Sequence, residues 1–588
     1  MGKNKQDKRG TSPVAAKHNA GAQAKAPAQP SIPLSERIGR IAHRVPAWAV
    51  FAVVVFLWAT FYYGPVLQTS REYSFWSTDS RTLHFFMQQP HAWLRYVGRA
   101  ALLYSYRWAV VGGALMTLLL AGGSALLGYC LRTRRMGRVA DMAVGIVQFV
   151  PALAYMAVLT YYGLDFFFEA ETGYILGIPM VVCAALLCVA LVRWALTRRQ
   201  TAAAESTPAL PDHRSYLAQL GVVLLVVAAL IGFDQTQRPY VRTISRIILC
   251  EQEQDWQGIQ DIARANAQQS NRIMAAFYAA SLVHTGQVGS RVYDIRLEYD
   301  TIQLHGMDGR LNNGINMYLQ EGNYHAGLAE TSYHACMEEM VMTGPTLRLL
   351  KLMTKCALLM NEPLLARKYL RLLRDVPGQG AFCQKYAAMT RNAALIDADA
   401  EMAMLRKLEP VEDSFENQHQ NPTFMGYNLT VNQYYNQRFM MFAQQGFDMK
   451  TANELALKNT VRSLDAMVNS TAVCLYTKLM PQFCVGLQPL VGTQLPDNFA
   501  DGAVVGSRQN EQLRAELFRS FPALQMRVGM VNSYLESMRP YMDNREAHGA
   551  ELFPEQKGAY LHYYLFGNLR ATKAGYTGES LMRGGGVN

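Results

Sequence analysis

The chain has 588 residues, 50% of them apolar and only 17% charged, with a formal net charge of +11. This length holds about two to four domains, and so low a charged fraction excludes an ordinary wholly soluble protein. The positive excess sits mainly in the N-terminal tail and in short loops between apolar runs, a footprint of membrane topology that excludes a nucleic-acid-binding face.

The opening residues, "MGKNKQDKRGTSPVAAKHNAGAQAKAPAQP", are basic and nearly free of bulky apolar side chains, so a disordered tail is expected. Gln6 stands where an N-myristoylation signal wants Ser or Thr. In "SERIGRIAHRVPAW", Ile38, Ile41 and Ala42 fall on one side and Arg37, Arg40 and Arg44 largely on the other. That pattern fits either a short amphipathic helix on an anionic inner leaflet or a solvated turn carrying topological charge.

Five apolar windows approach the roughly 20 residues that a helix needs to cross the hydrocarbon core. They run from Pro46 to Gly64, Trp108 to Leu131, Val139 to Tyr162, Tyr174 to Val192 and Tyr216 to Phe233. The first follows a long tail and precedes no small-residue cleavage site, so it reads as a signal anchor. Basic residues are retained on the cytoplasmic side. They precede the first window, and they recur as Arg132, Arg134, Arg135 and Arg138 and again as Arg193, Arg198, Arg199 and Arg214, whereas "GLDFFFEAETG" carries none. The N-terminus is therefore expected inside and everything after Phe233 outside. The segment after the first window dissents, with Arg71, Arg81, Arg95, Arg99 and Arg107.

That same segment, "REYSFWSTDSRTLHFFMQQPHAWLRYVGR", gathers Glu72, Asp79, His84, His91 and Arg95 among Tyr73, Phe75, Trp76, Phe85 and Trp93. Multi-span glycosyltransferases place a catalytic acid in their first outer loop, so Glu72, Asp79 and His84 are catalytic candidates by analogy. The aromatics equally suit an interfacial belt or contact with lipid head groups. Within the spans, Asp141 and Gln148 are nearly the whole polar inventory, which argues against a pump or transporter. Gly112, Gly113, Gly122 and Gly123 give the second window small faces for close helix packing.

Beyond Phe233 the composition becomes that of a soluble domain. Trp256, Ile259 and Ala263 share one helix face, and Ala275, Ala276, Tyr278 and Leu282 share another before Gly286. "NNGINMYLQEGNYHAGLAETSYHACMEEM" reads as two short helices about a turn. "TLRLLKLMTKCALLM" then meets "NEPLLARKYLRLLRDVP" with almost no loop, which predicts an antiparallel hairpin. In its second helix Asn361 is the expected cap, Leu365, Tyr369, Leu372, Leu373 and Val376 the apolar stripe, and Pro377 with Gly378 the stop. Ala366, Leu370, Leu373 and the closing proline resemble a tetratricopeptide repeat, although the aromatic, Leu-Gly and Tyr positions of its first helix are unmatched. Later runs, "TVNQYYNQRFMMFAQQ", "LRAELFRSFPALQ" and "KGAYLHYYLFGNL", also read as helices. At roughly 34 residues per repeat, about seven or eight units would fit.

The arrangement of spans, repeat-like half, "LPDNFADGAVV" and "GAYLHYYLFG" resembles an uncharacterised bacterial family of multi-span membrane proteins known only as a domain of unknown function. That resemblance implies no activity and no site. Of nine cysteines, Cys250, Cys336, Cys356, Cys383, Cys474 and Cys484 lie in the C-terminal half without metal or haem spacing; Cys474 and Cys484 are the closest pair for a disulfide there. His334 and Cys336 point to different sides of a helix, which disfavours zinc. Asn428 and Asn469 head glycosylation triplets that arise easily by chance.

The sequence thus predicts an all-α protein in which a five-helix transmembrane bundle precedes a soluble α-solenoid of tetratricopeptide-like hairpins. Its expected parts are a cytoplasmic tail, 1–44; a membrane domain, 45–235; an extracytoplasmic repeat domain, 236–580; and a flexible end, 581–588. Its expected place is the bacterial inner membrane, with the repeat domain periplasmic. The expected function is that of a non-enzymatic anchor displaying the repeats to a protein or peptide partner in envelope assembly. The alternative is an enzyme or carrier for a lipid-linked glycan or envelope polymer, using Glu72 or Asp79 as acid or base. Membrane lipid is an expected partner; no cofactor, metal or nucleic acid is implied.

Overall fold

The computed structural model describes residues 45–132, 137–162, 172–198, 213–295, 320–408, 495–544 and 560–566, with short breaks inside these ranges and a few further residues near 448. The expected tail and juxtamembrane helix, the "GLDFFFEAETG" loop up to Glu171, most of "TVNQYYNQRFMMFAQQ", Asn428, Asn469, Cys474, Cys484 and the end segment lie outside them. Among the described residues every regular element is helical.

The first apolar window forms α1 (Ala47–Leu57), extended by a π-helical turn over Trp58–Tyr62. The chain then continues as α2 (Gly64–Glu72) after a bend of 58°. Pro65 explains the break: inside a continuous helix its ring would meet the carbonyl four residues back, whereas at a helix start its missing N–H is harmless. The π turn closes with the Tyr63 N–H donating to Trp58 O at 2.7 Å. Tyr63 stacks on Trp58 and its hydroxyl donates to Leu159 O at 2.6 Å, locking the bend against a neighbouring span. The helical path therefore does not stop at Gly64, where the apolar window closes; bent, it continues through Val66 and Leu67 into the polar turn Gln68–Glu72.

Next come α3 (Ser80–Met87) and α4 (Ala92–Ser105), followed by the remaining long apolar helices: α5 (Ala109–Leu131), the broken pair α6 (Arg138–Val147) and α7 (Val150–Tyr162), α8 (Tyr174–Arg198) and α9 (His213–Gln237). Four of these spans are long and apolar enough to cross a membrane, and the bent α1–α2 pair makes up to five. Between 22% and 39% of each continuous apolar window is buried inside the protein, so most of its apolar surface faces outward, as hydrocarbon-facing helices require. The expected small faces are used. A Cβ on Gly113 would strike Thr60 Oγ1 of the π turn, and one on Gly98 of α4 would strike the Gly173 carbonyl at the start of α8.

The second half begins with α10 (Pro239–Gln252), which packs along α2. Two packed pairs follow the pattern read from the sequence: α11 (Trp256–Ala265) with α12 (Arg272–His284), and α14 (Leu347–Leu359) with α15 (Pro363–Arg374). Around them lie α13 (Ala329–Thr343), α16 (Gly380–Met389), α17 (Ala394–Ala398) and α18 (Ala400–Leu408), then α19 (Asp497–Gly506), α20 (Glu511–Ser520), α21 (Leu524–Ser537) and α22 (Tyr560–Phe566). On α15 and just beyond it Tyr369, Leu373 and Val376 of the expected stripe are buried and Leu365 is partly so, but Leu372 is 38% exposed and Ala366 and Leu370 are buried instead. Asn361 does not cap this helix. Its backbone turns left-handed at φ 57°, Glu362 takes the cap position, and the Asn361 side chain accepts from Arg406 at 2.7 Å.

Two apolar cores organise the molecule. One joins the spans to α10–α12 and α19–α22; the other joins Phe75, Trp76, Phe86 and Leu103 to α13–α18. The segment between the first two spans is therefore no free loop. Residues 72–77 are all buried, and their backbone carbonyls find donors: Leu347 N–H bonds Ser74 O, Arg99 bonds Phe75 O and Tyr96 bonds Ser77 O.

Candidate functional site

The three catalytic candidates separate in space. Asp79 is the N-cap of α3, its Oδ2 accepting from the Arg81 and Thr82 N–H groups at 3.1 and 3.3 Å, which is the ordinary use of an Asp before a helix. His84 is exposed on α3, with Nε2 3.1 Å from Gln88 Nε2. Glu72 turns inward: it is 2% exposed, and its two carboxylate oxygens receive Arg71 Nη1 and Lys351 Nζ, each at 2.8 Å.

Glu72 thereby reaches a cavity of about 390 Å³ enclosed by the ends of α2 and α10 and by α12, α14, α16 and α18. Helix α14 supplies its basic wall. Arg348, Lys351 and Lys355 recur three and four residues apart, so they share one face of a helix that is otherwise almost wholly buried. A buried charge is costly unless it is paired, and each of these is paired with a carboxylate from a distant segment. The Arg348 guanidinium grips both oxygens of Glu321 at 2.7 and 2.6 Å, reaches Glu339 at 3.0 Å, and lies over the Tyr73 ring. Lys351 holds Glu72, while Lys355 holds Glu401 at 2.9 Å and sits over the Tyr324 ring. On the opposite wall Lys385 is tied to Asp399 at 2.6 Å, next to Phe382 and Tyr386.

Glu401 accepts also from Tyr324 at 2.8 Å and from Gln254 at 2.7 Å. Burial, the largest single influence, would raise its carboxyl, but the Lys355 charge and hydrogen bond together with His325 and Tyr324 outweigh burial and draw the pKa down to about 2. Lys355 responds in the opposite sense: burial, the largest single influence, disfavours its charge, and Glu401, Tyr386 and Glu251 together more than compensate, holding it well above the usual lysine range. Glu321 is raised, because burial and the neighbouring acids Glu251 and Glu339 together outweigh Arg348.

Behind this wall, His284 stacks on Trp256 with centroids 3.7 Å apart and faces His325 at 3.3 Å. Burial, then the adjacent His325, pushes the His284 pKa down to about 3, so it is neutral near pH 7. His325 lies 3.5 Å from Glu251 on the cavity side. Among the described residues no group of three or more His, Cys, Asp or Glu side chains is arranged to hold a metal ion.

Every charged group on the described walls thus belongs either to the network or to the rim acids Glu251 and Glu253. Chemically the cavity offers fixed positive and negative groups side by side with aromatic faces, which suits polar or zwitterionic groups entering among pre-formed ion pairs. The sequence marked Glu72 here and missed Arg348, Lys351, Lys355 and Glu401. Their visible trace was three cations on one face of "TLRLLKLMTKCALLM", an odd feature in a helix apolar on every other side.

A family described as "Family of unknown function (DUF6057)" matches residues 248–567, more than half of the chain, from within α10 to α22. No curated protein and no solved structure matches.

Proposed function

Because the chain belongs to the family of unknown function DUF6057, whose match covers the helices that close the charged cavity, we propose that it is a non-enzymatic anchor of the bacterial inner membrane that presents its helical half to a protein or peptide partner in envelope assembly. In this reading the N-terminus is cytoplasmic, the helical half is periplasmic, and the tetratricopeptide-like pairs α11–α12 and α14–α15 form part of a binding surface. The observation that carries it is the cavity itself: its cations are already neutralised by carboxylates, an arrangement suited to holding a polar chain rather than to supplying a free acid or base.

The distribution of arginines supports the orientation. Arg71 donates to Glu72 and to Leu103 O, and Arg99 donates to Phe75 O and stacks on Phe86. Two of the basic residues that dissented from the positive-inside pattern are thus committed to internal contacts, which accounts for their place in that segment without a cytoplasmic location. A phosphatase fused after Asn588 is expected to be active, and inactivity with a fluorescent cytoplasmic reporter at the same place would reverse the topology.

The enzymatic alternative rests on Glu72, since Asp79 is occupied as a cap. A carboxylate clamped between two cations is a poor proton donor, so Glu72→Gln is expected to leave envelope lipids and polysaccharide unchanged. Crosslinking in native membranes followed by mass spectrometry tests the main reading. One stoichiometric protein partner, lost with the cavity-wall double variant Phe382→Ala/Lys385→Ala, is expected; recovery of a lipid-linked sugar with no protein partner would overturn it.

A further inference from the structure

Helix α4 has three occupied sides and one vacant one. Leu102 belongs to the core of the spans, Leu103 belongs to the core of the helical half, and Gly98 meets the backbone of α8 at Gly173. The fourth side carries Trp93, Val97 and Tyr104, continued by Trp108 just beyond the helix, which are 66%, 43%, 58% and 57% exposed. Spacings of four and seven residues put Trp93, Val97 and Tyr104 on one stripe of helical periodicity, about 17 Å long at 1.5 Å per residue, and Trp108 follows in extended conformation at the turn into α5. A soluble surface has no reason to align three large aromatic residues with a valine in this way.

Two observations identify what covers the stripe. At its C-terminal end it runs without interruption into α5, whose Val110, Val111 and Leu118 are exposed on a helix apolar enough to cross a membrane. At its middle, α4 crosses α8 at backbone contact, where the exposed Ile178, Val181 and Val182 follow within two turns. The stripe is therefore continuous with hydrocarbon-facing surface on both neighbours. Its composition matches the bilayer boundary, where Trp and Tyr rings sit with their polar edges towards water, and Arg107 lays its guanidinium over the Trp108 ring at 4.9 Å.

We propose that α4 is a membrane-embedded helix that does not cross the bilayer: it lies along one face of the membrane, with the Trp93–Val97–Tyr104–Trp108 stripe in the lipid, and holds the helical half flat against that face. The partner is lipid acyl chain and head group, not protein. This inference rests on the membrane reading of the spans and adds a contact outside them.

The test places a photo-crosslinking amino acid, one position at a time, at Trp93, Val97 and Tyr104 in the full-length protein reconstituted in lipid nanodiscs, and detects lipid adducts by mass spectrometry. Leu118 on α5 serves as the lipid-facing reference, and Leu364 on α15, exposed on the helical half, as the water-facing one. Lipid adducts at all three stripe positions, comparable with Leu118 and at least tenfold above Leu364, are expected. Adducts at Leu118 with stripe positions no higher than Leu364 would overturn the proposal while leaving the spans intact. Absence of adducts at Leu118 as well would instead remove the membrane reading, and the proposal with it.

Discussion

Lys351 and Lys355 lie one turn apart on α14, and each depends on a carboxylate hundreds or tens of residues away. Removing one member of such a buried pair leaves the other charge uncompensated, which costs about 3–5 kcal/mol. Glu72→Ala is expected near the lower end of that range, because Lys351 retains some solvent contact, and Glu72→Ala/Lys351→Met should recover much of the loss. Equilibrium unfolding of the two single variants and the double variant in mild detergent gives the coupling directly. Glu401 adds a pH signature. Its folded-state pKa is depressed from 4.5 to about 2, so its contribution is fully present above pH 4.5 and is lost as pH falls towards 2. The shift corresponds to on the order of 3 kcal/mol. His284, depressed from 6.5 to about 3, acts earlier: the unfolded chain takes up its proton below pH 6.5 while the buried ring does not, so stability declines from there downwards. Melting temperature measured against pH should therefore fall in two stages, with His284→Gln removing the first and Glu401→Gln the second.

Elements respond to side chains the sequence only partly marks. On α15, Leu373→Ala should cost about 2–5 kcal/mol because Leu373 is fully buried, whereas Leu372→Ala should cost less than about 1 kcal/mol. The expected stripe would have made the two equal, so thermal denaturation of this pair discriminates the registers. At the α4–α8 crossing, Gly98→Ala drives a methyl into backbone and should destabilise by about 1–3 kcal/mol; Gly221→Ala on α9 meets nothing and should be neutral or mildly stabilising. Spans, the α14–α15 hairpin and the glycine faces were legible because apolar length, helical periodicity and side-chain size are local properties. On α15 the repeat resemblance marked Ala366, Leu370 and Leu373, but the periodicity chose Leu372 over Leu370, since the two are chemically the same and only the neighbours α14 and α16 decide between them. The charge of Glu72 was visible in the sequence, but its pairing with Lys351, 279 residues away, was not.

Across the whole molecule, the segment from Glu72 to Arg107 joins what composition separates. Phe75, Trp76, Phe86 and Leu103 complete the core around α13–α18, so residues 236–588 expressed alone should expose that core and aggregate. Co-expression with residues 1–235 should return a monodisperse species on size exclusion, and a well-behaved isolated fragment would refute the shared core. The reach of the Glu72–Lys351 pair also sets a timetable. A ribosome adding about 5–20 residues per second makes Lys351 tens of seconds after Glu72 has left the exit tunnel. Through that interval the early segment has Arg71 for Glu72 but neither Lys351 nor the α13–α18 side chains that complete its core. Biogenesis of this protein is thus a relay in which one of the earliest segments to emerge completes its contacts only after most of the chain has been made.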